Sequence, residues 1–188
     1  VGDELLVHFR NELPEPTTIH WHGLRVPAAM DGTMAMQEPI PSGGSFEYRF
    51  VLKDAGLYWF HPHVRSDEQV ERGLYGVILV RGDSEPELGA ERVLVLDDVL
   101  LNSDGSLVDS SQMGSMMEMT GRQGNVLLAN GVPDAVLDLK PGERVRLRVV
   151  NTANARYFNL TFGGRTMTLV GVDGGLLERP RQLERILL

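Results

Sequence analysis

The segments Thr18-Ile19-His20-Trp21-His22-Gly23-Leu24 and Gly56-Leu57-Tyr58-Trp59-Phe60-His61-Pro62-His63 contain four of the chain's five histidines, in two pairs. In a β-strand, side chains at i and i+2 point to the same face, so each pair directs two imidazoles to one side. Two such strands that meet would gather four nitrogen ligands in a small volume, and imidazole suits copper, zinc, iron and nickel. The sequence therefore predicts a metal site built from His20, His22, His61 and His63.

Composition narrows the classes of function. The 188 residues are 42% hydrophobic and 23% charged, which is typical of a globular protein with one large or two small domains. The formal net charge of −8 argues against a nucleic-acid binder, which needs a basic surface, and against an anionic membrane surface as partner. No apolar run approaches the length of a transmembrane helix. The absence of cysteine excludes disulfides and thiolate metal sites within this chain.

The pattern of strands and turns predicts an all-β fold. Alternating or continuous apolar segments at 5–10, 46–52 and 75–80 predict strands, and the polar stretch 66–72 predicts a short helix. Short strands with frequent Gly, Pro, Asn and Asp turns point to β-sandwiches. We expect a first domain at 1–82, a linker at 83–92 and a second domain at 93–188.

An internal repeat relates the two predicted domains. Residues 2–11, from Gly-Asp-Glu to Asn, match residues 142–151, from Gly-Glu-Arg to Asn. Carried onward, this register sets His20-Trp21-His22-Gly23 against Leu160-Thr161-Phe162-Gly163. The strands and the closing glycine recur, whereas Leu160 and Phe162 replace the histidines. The repeat predicts two copies of one sandwich, of which only the first carries metal ligands.

Several motifs resemble those of a known family. They are Asn11-Glu12-Leu13-Pro14, the two histidine segments above, Met30-Asp31-Gly32 and Gly73-Leu74-Tyr75-Gly76. In order and spacing they resemble the amino-terminal half of a multicopper oxidase of the laccase type. The resemblance extends more diffusely through Asn125-Val126-Leu127-Leu128-Ala129-Asn130-Gly131 and Val172-Asp173-Gly174-Gly175. It implies two cupredoxin-like Greek-key sandwich domains, which this chain truncates at both ends.

The resemblance also implies a role for each site residue. His20 corresponds to a ligand of the type 2 copper, and His22, His61 and His63 correspond to ligands of the paired type 3 coppers. Asp31 resembles the aspartate that helps deliver protons to reduced oxygen. The intact enzyme would oxidise a phenol, an aromatic amine or a metal ion by single electrons and reduce dioxygen to water. Such enzymes imply a periplasmic or extracellular location.

The family pattern is incomplete in this chain. The type 1 copper requires a cysteine and two histidines from a carboxy-terminal domain, which also supplies the other histidines of the trinuclear cluster. This chain has no cysteine and no histidine after His63. We therefore expect a fragment that holds half of the trinuclear site, binds copper weakly and has no oxidase activity without the missing domain.

Two other functions stay open at this stage. Met113, Met116, Met117 and Met119 carry soft thioethers that could handle Cu(I), as in a non-enzymatic copper-binding or assembly module, although such clusters more often fill gaps in packing. His61-Pro62-His63 followed by Glu68 has the spacing of a cupin-type metal dioxygenase, but that fold needs a later histidine. Structural roles are expected elsewhere: His8 faces solvent, and Tyr58 and Trp59 pack in the core.

Overall fold

The computed structural model describes residues 1–83, 85–109 and 121–188. These ranges contain twelve β-strands, one short α-helix and a single 3-10 turn at Ala28–Met30, so the predicted all-β class is confirmed. The helix, α1, covers Ser66–Glu71, within the stretch predicted to be helical. The strands are β1 Glu4–Arg10, β2 His20–His22, β3 Ser45–Val51, β4 Gly56–His61, β5 Gly76–Val80, β6 Ala90–Val99, β7 Val126–Ala129, β8 Val145–Asn151, β9 Asn159–Thr161, β10 Met167–Val172, β11 Gly175–Leu183 and β12 Arg185–Leu187.

The chain divides into two compact units. The first comprises Val1–Glu85 with Gly171–Leu176, and the second comprises Pro86–Val170 with Leu177–Leu188. Strand β6 begins at Ala90, inside the stretch predicted as a linker. The domain limits proposed from the sequence stay a prediction.

The first unit contains two sheets. Strand β1 pairs with β3 in antiparallel fashion, and a three-stranded antiparallel sheet has the order β2-β4-β5. The buried hydrophobic centre consists of Trp21, Ile40, Tyr48 and Phe50. On β1 the odd-numbered residues turn inward and the even-numbered ones outward, as period-2 alternation requires. His8 is therefore solvent-facing, as predicted, and its Nδ1 lies 3.2 Å from the Glu47 carboxylate.

The second unit is built on a three-stranded sheet in the order β7-β6-β8, in which β6 is antiparallel to β7 and parallel to β8. Strand β9 pairs with β12, and β10 pairs with β11, whose connecting residues within Gly171–Leu176 belong to the first unit. Leu96 and Phe158 are its buried hydrophobic side chains among the residues described. Leu160, which the repeat sets against the first histidine, lies in β9.

Buried polar side chains join the two segments that carry the histidines. Gln69 of α1 is fully buried, and its amide nitrogen donates to the Pro16 carbonyl at 3.0 Å. The Thr17 hydroxyl donates to the Gln69 side-chain oxygen at 2.7 Å. Because α1 follows His63 and Thr17 precedes β2, these bonds tie the stretch after the second histidine pair to the stretch before the first.

The buried Tyr48 hydroxyl also holds the segment just before β2 in place, and its contribution to stability can be tested. It accepts hydrogen bonds from the Ile19 backbone N–H at 2.9 Å and from the Gln37 side-chain nitrogen at 3.1 Å. We predict that Tyr48→Phe lowers the free energy of unfolding by about 1–3 kcal/mol, because it leaves buried donors without an acceptor. Urea unfolding measures the change. The control, Tyr157→Phe, alters a tyrosine that is 76% exposed and should cost little; equal stability of Tyr48→Phe and wild type would contradict the prediction.

Candidate metal centre

The antiparallel pairing of β2 with β4 sets the position of the histidines. In this register His20 lies opposite His61, Trp21 opposite Phe60, and His22 opposite Trp59. Directly paired residues of two strands point to the same face of a sheet. The histidine face, as we call it, therefore carries His20, His22, Trp59 and His61. The opposite face sends Trp21 and Phe60 towards the hydrophobic centre.

The structure brings all four predicted ligands together. The His20 ring centroid lies 5.8 Å from that of His22, 5.3 Å from that of His61 and 5.2 Å from that of His63. The rings of His22 and His61 are 5.6 Å apart. One ring nitrogen from each of His20, His22 and His61 forms a group whose members all lie within 4.8 Å of one another. Three imidazoles at this spacing could hold one metal ion.

Asp31 orients the His20 ring. The Nδ1 atom of His20 lies 3.1 Å from the backbone oxygen of Asp31 and 3.1 Å from its carboxylate oxygen Oδ1. With acceptors on this side, Nδ1 carries the ring proton and Nε2 offers its lone pair. Carboxylates and carbonyls behind metal-binding histidines commonly act in this way.

A glycine next to Asp31 allows its loop to come close to the start of β2, where His20 lies. Gly32 has φ +69°, and a Cβ atom there would lie 2.0 Å from the Ile19 carbonyl oxygen. The loop after the 3-10 turn can pass this close to the start of β2 only with a residue that lacks a side chain. On the other side of the turn, the Trp21 indole N–H donates to the Met30 carbonyl at 2.9 Å. These contacts hold Asp31 beside His20.

A backbone carbonyl orients the His61 ring. Its Nδ1 atom lies 2.8 Å from the Pro62 carbonyl oxygen, so Nδ1 is the donor and Nε2 is left as the acceptor. The pKa of His61 is lowered to about 4, mainly because the ring is buried. The hydrogen bond to the Pro62 carbonyl raises this pKa, and the neighbouring imidazoles lower it further. Burial, followed by the charge of His20, also lowers the pKa of His22. Both rings stay neutral at neutral pH, which is the form that binds metal.

Trp59 corrects one prediction. We expected Tyr58 and Trp59 both to pack in the core, but neighbouring residues on a strand point to opposite faces. Tyr58 is buried, 6% exposed. Trp59 instead lies on the histidine face, with its ring centroid 4.3 Å from that of His61 and 4.9 Å from that of His22. The alternation between Trp59 and His61 in the sequence was a signal for this contact.

His63 lies beyond the end of β4 and is held through its backbone. Its N–H donates to the hydroxyl of buried Thr18 at 3.1 Å. Pro62 follows the last residue of β4, where the loss of a ladder donor costs nothing. The side chain of His63 is exposed and stands near His20. The sequence carried no obvious signal for the role of Thr18.

The remaining candidates fall outside this centre. Glu68, the third residue of the cupin interpretation, forms an ion pair with Arg65. Among the residues described, no second group of three or more His, Asp or Glu side chains brings its ligand atoms close enough together to hold a metal ion. The four methionines considered for Cu(I) handling, Met113, Met116, Met117 and Met119, lie outside the described residues.

The donor set fits copper. It consists of imidazole nitrogens without thiolate or a dominant set of carboxylates, and imidazole suits copper, zinc, iron and nickel better than magnesium or calcium. Two of the rings have their second nitrogen satisfied by an oxygen of Asp31 or Pro62, as metal-binding histidines usually do.

Comparison with known proteins decides between the candidate families. A family model described as "Multicopper oxidase" matches residues 1–85, and a second model of the same description matches residues 78–188. The chain belongs to the multicopper oxidase family. The cupredoxin-like fold class expected from the resemblance is confirmed by the solved structures of this family that the chain matches over its whole length.

Three relatives show the extent of the similarity. Multicopper oxidase MmcO of Mycobacterium tuberculosis is 35% identical over 93% of this chain and 40% of its own length. Laccase-2 of Cryptococcus neoformans var. grubii is 28% identical over 95% of this chain and 34% of its own. A crystal structure of a multi-copper oxidase from Pseudomonas thermotolerans is 36% identical, with a TM-score of 0.92, and is matched over 100% of this chain and 46% of that one. The chain thus spans less than half the length of these relatives.

The lowered pKa of His61 predicts how the stability of the metal-free chain depends on pH. Unfolding would return this pKa from about 4 to 6.5, so the unfolded chain binds more protons between these values. The contribution of neutral His61 to the free energy of unfolding is therefore fully present above pH 6.5 and is lost as the pH falls towards 4. Urea unfolding with a chelator present, at several pH values, should show a steeper acid loss for wild type than for His61→Gln. Parallel curves for the two proteins would contradict this assignment.

Proposed function

We propose that this chain supplies half of the trinuclear copper centre of a multicopper oxidase. The observation that carries the proposal is the convergence of ring nitrogens from His20, His22 and His61 within 4.8 Å, with the His63 ring beside them. Family membership and coverage of less than half of the relatives' length support it. A carboxy-terminal cupredoxin domain outside this chain would supply the remaining ligands and the type 1 copper.

Each histidine is proposed to take the role that the family resemblance implies. His20 would bind the type 2 copper, and His22, His61 and His63 would bind the paired type 3 coppers. When bound, these coppers supply the one-electron redox chemistry by which dioxygen is reduced to water. The chain's own contribution is to hold neutral imidazoles in place, on a strand pair whose other face lies in the hydrophobic centre.

Asp31 is proposed to hold and deliver protons during oxygen reduction. Its Oδ1 atom contacts Nδ1 of His20 at 3.1 Å, and its side chain is 27% exposed, so the carboxylate can exchange protons with solvent. The same contact orients His20. Asp31 would therefore combine two tasks, positioning a ligand ring and supplying protons beside it.

The reducing substrate is proposed to be a phenol, an aromatic amine or a metal ion, which is the range that the family resemblance implies. We also propose a periplasmic or extracellular location. Among the residues described, the structure has no helix long and apolar enough to span a membrane. Fractionation of cells that express the intact polypeptide, followed by immunodetection, tests the location.

The half-site interpretation predicts the behaviour of the isolated chain. The purified chain should bind Cu²⁺ weakly and should consume no oxygen with a phenolic substrate, since it contains no cysteine for a type 1 copper. The coding sequence beyond Leu188 should continue into a segment that contains His-Cys-His, and the longer polypeptide should consume oxygen. An oxygen electrode measures both proteins. Oxygen uptake by the isolated chain alone would overturn the proposal.

A substitution in the longer polypeptide separates the proton role of Asp31 from folding. Asp31→Asn keeps the shape of the side chain but removes its carboxyl group. We expect oxygen consumption at saturating reducing substrate to fall about a hundredfold, within the range for loss of a general acid or base. Asp104→Asn, in an exposed turn, is the matched control and should retain full activity. An Asp31→Asn enzyme as active as wild type would refute the proton role.

A further inference from the structure

We infer that Trp59 is a positioning residue that holds the His22 and His61 rings in the orientation needed for metal binding. The inference rests on the proposed function, because it presumes that these rings bind metal. It concerns a residue that is not itself a ligand and that contributes no proton to the chemistry.

Trp59 occupies the fourth corner of a square of side chains. His20 and His61 form one directly opposed pair between β2 and β4, and His22 and Trp59 form the next pair on the same face. The other three corners are the three residues whose ring nitrogens come together. Only one side chain in this square cannot bind metal, and it is the largest.

The indole is stacked on the His61 imidazole and lies tilted against the His22 imidazole. The interplanar angle is 27° with His61 at a centroid distance of 4.3 Å, and 31° with His22 at 4.9 Å. Aromatic rings at these distances and tilts interact favourably in offset-stacked geometry. One face of each imidazole therefore rests on Trp59, while the ring edges that carry the nitrogens remain available.

His22 depends most on this contact. The His20 ring is oriented by Asp31, and the His61 ring by the Pro62 carbonyl. Within the described part of the chain, neither ring nitrogen of His22 has a hydrogen bond to a carboxylate or a backbone carbonyl; its Nδ1 lies 3.4 Å from Nε2 of His61. Since the χ2 torsion of histidine is broad, a ring without such a partner needs another restraint. Stacking on Trp59 supplies it.

The backbone of Trp59 is well placed for this task. Strand β4 is the central strand of the β2-β4-β5 sheet, and Trp59 pairs with Val77 of β5 on the side away from His22. Its neighbours Tyr58 and Phe60 point to the opposite face. Gly76 leaves space for the Phe60 ring, since a Cβ at Gly76 would lie 2.5 Å from that ring. Because β4 has a neighbouring strand on each side, the backbone of Trp59 is rigid and can support the two rings.

Zinc binding by the purified chain tests the inference without any enzymatic activity. Isothermal titration with Zn²⁺ compares wild type with Trp59→Phe, which keeps an aromatic face, and with Trp59→Leu, which keeps an apolar side chain without one. We expect Trp59→Leu to weaken affinity about tenfold, as loss of a partner behind a ligand does. Trp59→Phe should stay within about threefold of wild type. Zinc affinity unchanged in Trp59→Leu would overturn the inference.

A matched control separates ring positioning from general loosening of the sheet. Val77→Ala removes apolar volume directly opposite Trp59 on β5. It should leave zinc affinity unchanged, whereas an equal loss in Val77→Ala and Trp59→Leu would show that sheet packing alone matters and would overturn the inference. Circular dichroism checks that each variant is folded. Trp59→Met is the second non-aromatic variant if Trp59→Leu fails to fold.

A double-mutant cycle shows whether Trp59 acts through His22. In the His22→Ala background, Trp59→Leu should weaken zinc binding clearly less than in the wild-type background, because the ring that it orients is gone. Equal losses in both backgrounds would overturn the inference. If His22→Ala alone leaves affinity unchanged, His22 is no ligand, and both the proposed function and this inference fail. If His22→Ala weakens binding but Trp59→Leu does not, the inference alone fails.

Nuclear magnetic resonance of the imidazole nitrogens gives a readout that a purely structural role would not move. In the metal-free chain, Trp59→Leu should broaden the ring ¹⁵N signals of His22, since that ring is then free to reorient, whereas loss of the indole ring current alone would shift the signals without broadening them. The signals of His20, whose ring is held by Asp31, should stay in place. Unchanged His22 signals would count against the inference.

Discussion

The antiparallel register of β2 and β4 is the constraint on which the rest of the site depends. It pairs His20 with His61 and His22 with Trp59. Because side chains alternate along a strand, a slip of one residue would turn the imidazoles into the hydrophobic centre and expose Trp21. Such a slip would bury polar rings without partners and lose the largest buried side chain of the first unit. The register that gathers the histidines is therefore also the register that forms the core.

The face of the sheet that packs in the hydrophobic centre helps to position the histidine face. Trp21 packs against Tyr48 and Phe50, with ring centroids 5.4 Å and 5.1 Å away, and its indole N–H holds the Met30 carbonyl. That bond anchors the turn whose next residue is Asp31, the partner of His20. The packing of Trp21 in the core therefore helps, through one hydrogen bond, to set the orientation of the His20 ring on the opposite face.

The histidines are held by different means, and this difference matters for the chemistry. A carboxylate and a backbone carbonyl hold two of the rings, an indole face supports a third, and His63 is fixed through its main chain by Thr18. Rings oriented before metal arrives lose less conformational freedom on binding. Burial keeps two of them neutral, so protons compete little with metal near neutral pH. This arrangement suits the half-site proposed for a chain that belongs to the multicopper oxidase family.

The fold class, the alternation on β1 and the two histidine pairs could be read from the sequence alone, because period-2 patterns and turn residues are local properties. Motif order also identified the family. Tertiary structure decided what depends on contacts between distant segments: the pairing of β2 with β4, the approach of Asp31 that Gly32 permits, and the place of Trp59. The expectation that Trp59 packs in the core failed because aromatic character predicts burial without specifying a face. Strand pairing sets which face is buried, and pairing depends on two segments that are distant in the sequence, so neither segment predicts it alone.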